Sequence, residues 1–130
     1  MRALVIDPGA HEPVYRQIAR QLREAIASGA LPPGHALPAV RTVAGDLGVN
    51  LNTVARAYRQ LQEEGFLEIA HRSGARVAEP RAGSSRDRLE PLRRDLRSAL
   101  ARLKQAGVPT AELRKMLEAE LAALGDRRRG

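Results

Sequence analysis

Residues 37–77 read LPAVRTVAGDLGVNLNTVARAYRQLQEEGFLEIAHRSGARV, and how this stretch folds decides the rest. Val40, Val43, Ala44 and Leu47 recur at helical spacing and predict a short amphipathic helix. Gly48 can take the left-handed backbone that stops a helix. Asn50 then offers a side-chain oxygen to the free N–H groups of a second helix, predicted over Leu51–Glu64 and closed by Gly65. Val54, Ala57, Tyr58 and Leu61 form its apolar stripe. A short helix, a glycine turn and a capped second helix are the parts of a helix-turn-helix.

At ~100° per residue, Asn52, Arg56, Arg59 and Glu63 fall on the face opposite that stripe. The row begins near the helix N-terminus, the end that enters the major groove in helix-turn-helix proteins. Asparagine can read adenine through two hydrogen bonds, and arginine can read guanine or clamp phosphate. Thr53, beside the row, can bond phosphate or touch a thymine methyl. Downstream, Phe66, Leu67 and Ile69 alternate as a strand would, His71-Arg72-Ser73-Gly74 reads as a turn, and Ala75-Arg76-Val77 as the return strand. Such a hairpin suits a wing lying on the sugar-phosphate backbone or in the minor groove. The expected partner is double-stranded DNA. The competing reading is a winged-helix module that grips protein, because helix-turn-helix patterns also occur in bundles and arginine rows are often solvated faces.

Over residues 13–77 the chain resembles the DNA-binding domain of the GntR family of bacterial transcription regulators. The matching words are Pro13-Val14-Tyr15-Arg16-Gln17-Ile18, Ser28-Gly29-Ala30-Leu31-Pro32-Pro33-Gly34, Leu37-Pro38, Arg41, Leu47-Gly48-Val49 and Asn52-Thr53-Val54. Arg56-Ala57-Tyr58, Leu61, Glu64-Gly65 and Gly74 continue the series, and the wording around Asn50 resembles the YtrA-type branch. The resemblance implies DNA contacts from Arg41, Asn52, Thr53 and Arg56, and from His71 and Gly74 with Arg72 and Ser73 between them. Asn50 and Arg59 join this candidate set from their places at the start and on the outer row of the helix. Leu51 and Ala55 stand where many members have arginine, Ala39 where many have a capping serine, and Arg72 replaces one of two wing glycines. The base contacts of those arginines do not carry over. The missing serine should cost about 1 kcal/mol of helix capping.

The 130 residues are 43% hydrophobic, enough for a core, but hold only two Tyr and one Phe. An aliphatic core follows, and a single-strand platform that stacks bases on aromatic side chains is disfavoured. With no cysteine, disulfides, thiolate metal sites and cysteine nucleophiles are excluded. No nucleophile with a nearby base, metal cluster or phosphate-binding glycine loop is present, so an enzyme is not expected, nor any metal or cofactor. No apolar run nears the ~20 residues that span a bilayer, and no signal-peptide pattern precedes the chain, so a cytoplasmic protein without membrane contact is expected. The net charge of +7 suits a polyanionic partner, yet residues 1–80 carry nine Arg against eight acids, and residues 81–130 thirteen bases against seven. Placement of arginines, not net charge, therefore marks the DNA-binding half.

Upstream, Leu4-Val5-Ile6 is a candidate third strand beside the wing. Pro13 suits a helix's first turn, and Tyr15, Ile18, Ala19, Leu22 and Ile26 give that helix one apolar face, read as scaffold for the other two. His11 and His35 are read as solvated loop histidines rather than metal ligands.

Downstream, Glu79–Ser85 is linker-like. Leu89, Leu92, Leu96, Ala99 and Leu103 recur near a heptad seam that Leu100 widens. After Gly107, a second helix capped by Thr110 presents Leu113, Met116, Leu117, Leu121 and Leu124. Two such helices leave an apolar seam, and the simplest cover is the same seam of a second chain; packing back on the DNA-binding half is the alternative. The expected architecture is mainly α with a small β-wing: a winged helix-turn-helix over 1–79, a linker over 80–86, a helical dimerisation segment over 87–125 and a basic tail over 126–130. The expected function is a homodimeric, sequence-specific transcription regulator, more a repressor than an activator, on an inverted-repeat operator. A small effector, should one bind, has its expected place at the seam or in the gap between the halves.

Overall fold

Three short helices close one core because each carries its apolar residues along one side. In chain order the elements are α1 (Val14–Ser28), α2 (Val40–Leu47), α3 (Leu51–Glu63), β1 (Leu67–Ala70), β2 (Gly74–Val77), α4 (Arg86–Gln105) and α5 (Thr110–Leu124). The structure, a computed structural model, describes residues 4–70, 74–80 and 86–125. The expected mainly helical architecture with a small wing is the one observed.

The core takes Ile18, Leu22 and Ile26 from α1, Val43 and Ala44 from α2, and Val54, Ala57, Tyr58 and Leu61 from α3. Leu67, Ala75 and Val77 of the wing close it from below α3. Ile18, Val54, Ala57 and Leu61 are each 0% exposed, so α3 is the element against which the others pack. Gly48 adopts φ 68° and donates its N–H to the Ala44 carbonyl, ending α2 as expected, and Val49 is half-buried in the turn. Asn50 accepts the Asn52 N–H at 2.7 Å and caps α3. Ala39 makes no side-chain cap on α2, in keeping with the absent serine. The Tyr58 hydroxyl donates to the Pro38 carbonyl at 2.7 Å and ties α3 to the strap before α2.

The wing is a two-stranded antiparallel ladder in which Leu67 faces Val77 and Ala70 faces Gly74. Leu4-Val5-Ile6 is not its third strand. That edge is taken by the strap at 34–37: Gly34 donates to Val77, Val77 to His35 and Leu37 to Ala75, with a bridge between Ala36 and Arg76. Residues 4–7 are held instead by two glutamines one turn apart on α1. Gln21 pairs with both the N–H and the carbonyl of Val5, and Gln17 does the same for Asp7. A primary amide offers the same donor and acceptor as a peptide unit, so an extended segment can be satisfied without a ladder. Gln17 also donates to the Glu12 carbonyl, which accounts for a polar side chain buried to 3% exposure. Ile69, an alternating apolar position, stays 37% exposed because the wing runs out past the core.

The chain divides into two compact units, one holding α1 to β2 and the other α4 with most of α5. In the second, Gly107 at φ 95° lets Val108 donate to Leu103 and closes the end of α4. Lys104 Nζ donates to Thr110 Oγ1 at 2.6 Å across the turn. Pro91 lies inside α4, where it removes one N–H from the helical ladder. No helix of the described residues is long and apolar enough to cross a membrane.

Candidate nucleic-acid interface

The outer face of α3 is built by the same periodicity that builds its core face. Asn52, Arg56, Arg59 and Glu63 are all exposed, and Thr53 is half-buried beside them. Asn50, Asn52, Thr53 and Arg56 line one open hollow of about 310 Å³ at the N-terminal end of the helix. The Asn50 side-chain Oδ1 is engaged in the cap, accepting the Asn52 N–H, and the positive end of the α3 dipole lies here. Helix dipole and arginines thus favour a polyanion at the same place.

A wider groove of about 540 Å³ continues along the helix, lined by Tyr15, Arg16, Arg56, Arg59, Gln60, Glu63 and Glu64. Its charge is graded along α3: Arg56 and then Arg59 precede the carboxylates of Glu63 and Glu64 at the helix end, and Arg16 is added from α1. Glu64 is held there by Arg23, whose guanidinium donates to both carboxylate oxygens at 2.9 and 3.2 Å and whose Cζ lies 5.8 Å from the Phe66 ring centroid. Gln60 adds a third donor to Glu64 at 3.1 Å. This clamp fixes the far ends of α1 and α3 to one another and leaves the near end as the cationic one.

Tyr15 forms a wall of both hollows. Reading α1 as scaffold alone missed it. Tyr15 is half-buried, packed against the core on one side. On the other side the Arg56 guanidinium lies over its ring, Cζ at 3.8 Å from the centroid. Arg16 Nε donates to the Tyr15 hydroxyl at 3.2 Å, and that bond, with the positive charges of Arg16 and Arg56, draws the phenol below its ordinary pKa. The sequence held only a weak signal, a tyrosine in an aliphatic stripe followed by an arginine, because Tyr58-Arg59 fits the same description and its tyrosine is buried instead.

The remaining candidates are spread. Arg41 is exposed in the first turn of α2. Gly74 opens β2 at φ 78°, a conformation that side chains rarely adopt. His71, Arg72 and Ser73 lie outside the described residues. Among the described residues, no group of three or more His, Cys, Asp or Glu is placed to hold a metal ion. Of the seam residues, Leu113 is buried and Leu100, Leu103 and Leu124 are half-buried. Leu89, Leu92, Leu96, Met116, Leu117 and Leu121 are exposed.

Comparison with known proteins bears on this surface. Residues 14–77 match the family described as bacterial regulatory proteins, gntR family. The transcriptional repressor YtrA of Bacillus subtilis is 39% identical over 74 residues, which are 57% of this chain and 57% of that protein. The chain therefore spans less than two thirds of this curated relative. Among solved structures, YtrA from Sulfolobus acidocaldarius, a GntR-family transcription factor, is 38% identical with a TM-score of 0.61, covering 75% of this chain and 97% of that one. A structure described as a transcriptional antiterminator from Listeria monocytogenes is 26% identical, with a TM-score of 0.84 over 96% of this chain and 95% of that one.

Proposed function

From its place in the gntR family of bacterial regulatory proteins, to which this chain belongs, we propose that it is a sequence-specific, double-stranded DNA-binding transcription regulator. The observation that carries this reading is the gathering of Asn50, Asn52, Thr53 and Arg56 around one hollow at the capped start of α3. Amide and guanidinium groups there are the chemistry that reads base edges, and the hollow sits at the helix end that docks in a major groove. In this reading Arg41 and Arg59 supply phosphate contacts, and His71, Arg72, Ser73 and Gly74 contact the adjacent backbone or minor groove.

The regulator acts in the cytoplasm as a homodimer on an inverted repeat. Six large apolar side chains exposed on α4 and α5 support this, because a seam of that extent calls for a cover and a two-fold copy supplies one. A dimer presents two α3 helices to two half-sites, which is why the operator is a repeat. Repression is the preferred sense. The Bacillus relative is a named repressor, and occluding a promoter requires no surface beyond the DNA grip.

Selection of bound duplexes from a random pool, with wild-type protein and Arg56→Ala in parallel, tests the reading. The expected result is an enriched inverted repeat for the wild type. Arg56→Ala should lose about 1–3 kcal/mol on it and relax at one base pair per half-site. Binding without any enriched sequence, vanishing as salt rises, would mean that the row attracts phosphate or serves a protein partner and reads nothing.

A further inference from the structure

The reading row on α3 is completed by a residue from another helix. Of the five residues lining the hollow at the start of α3, four belong to the α3 cap and its first turns and the fifth is Tyr15 of α1. We propose that Tyr15 is the positioning residue for Arg56: it holds the guanidinium flat against its ring and so aims the donor edge at the duplex. This inference rests on the DNA-binding reading given above and deepens it.

An arginine on an exposed helix face is a poor reader when free. Its long side chain samples many rotamers, and the freedom lost on binding opposes affinity. Tyr15 removes much of that freedom in advance. Its ring is itself fixed, with one side packed against the core and its hydroxyl tied by Arg16 at 3.2 Å. The Arg56 Cζ at 3.8 Å from the centroid is face contact, the geometry in which a cation meets the negative face of an aromatic quadrupole.

The stack does not consume what DNA needs. A guanidinium stacks through its plane and hydrogen-bonds through its edge, so the N–H fork remains for guanine or phosphate. Lysine could not do both, having no plane. The remaining aromatics are placed elsewhere: Tyr58 is buried with its hydroxyl on Pro38, and Phe66 lies near Arg23. Tyr15 is the aromatic ring in the described hollow, and α1 thereby becomes part of the reading surface.

The test uses the full chain and the operator selected by the wild type, with each base pair of a half-site changed in turn. Four variants are compared: Tyr15→Leu, which keeps an apolar side chain on the core but has no π face, Tyr15→Phe, Arg56→Ala, and Tyr15→Leu with Arg56→Ala. Tyr15→Leu should bind the operator about fivefold more weakly, ~1 kcal/mol. It should also flatten preference at the same base pairs that Arg56→Ala flattens. Tyr15→Phe should restore both, because the face suffices. On the Arg56→Ala background Tyr15→Leu should change nothing further. Melting curves identify any variant that loses affinity by unfolding, and Tyr15→Phe keeps the comparison open in that event. Equal loss on every sequence, or full additivity with Arg56→Ala, overturns the inference, since a merely structural role predicts both. Tighter binding by Tyr15→Leu overturns it as well, because the ring would then be holding Arg56 away from DNA. A wild type that selects no duplex sinks the underlying reading. An operator that Tyr15→Leu still reads sharply sinks this inference alone.

Discussion

The two units of the molecule put leucine to opposite uses. In the α1–β2 unit Leu22, Leu61 and Leu67 are at most 2% exposed, each covered by another element of the same unit. On α4 and α5, Leu92 and Leu121 are each 66% exposed. Both units have the spacing of an amphipathic helix, so periodicity says only that a face is apolar. What covers the face is settled by how many elements share the unit. Three helices and a hairpin can surround a core, whereas two helices cannot.

The sharpest way to break this comparison is at its best-buried point. Leu61→Ala should lower the unfolding free energy of the first unit by about 2–5 kcal/mol in urea melts, since the side chain is fully buried in the core cluster and its removal leaves a cavity. A loss under about 1 kcal/mol would mean that this core is looser than its burial implies.

Next is the seam. If the proposed dimer forms through this seam, Leu92→Glu combined with Leu121→Glu should yield a monomer in sedimentation velocity. It should weaken binding to a full inverted repeat by about a hundredfold while leaving a single half-site unaffected, because only the linked second contact is lost. A variant that stays dimeric would place the interface elsewhere.

Tyr58 sharpens the contrast through pH. Burial pushes its hydroxyl up to about 12. The unfolded phenol titrates near ~10, so between these values the unfolded chain has released a proton that the folded chain still holds. Stability of the first unit should therefore fall as pH rises through this window, by up to about 2–3 kcal/mol, and Tyr58→Phe should abolish that slope. An unchanged slope would show that other groups set the alkaline limit.

The smallest effect is at the start of α3. Asn50→Ala removes the bond to the Asn52 N–H and should cost about 1 kcal/mol of stability. A cost near zero would mean that packing alone holds the helix end.

Much of the first unit was legible in residues 37–77. The α2 and α3 stripes, the Gly48 stop, the Asn50 cap and the two wing strands all depend on contacts within a few residues, where periodicity and backbone preference act directly. The segment Leu4-Val5-Ile6 was misread for the complementary reason. Apolar residues in an extended run look like a strand, but the wing edge was already taken by the strap at 34–37, and only distance in space reveals that competition.

The same division runs through the candidate site. By itself the sequence determined which side chains lie on the outer row of α3, because 3.6 residues per turn assigns faces without reference to any partner. It also determined that Asn50 caps and Gly48 turns, since both follow from local hydrogen bonding and φ. Only the tertiary structure decided that Tyr15 stands beside Arg56, forty-one positions later in the chain, and that Arg23 clamps Glu64. Those pairings follow from the crossing of α1 on α3, which is set by the fit of two apolar faces and has no signature in either helix alone.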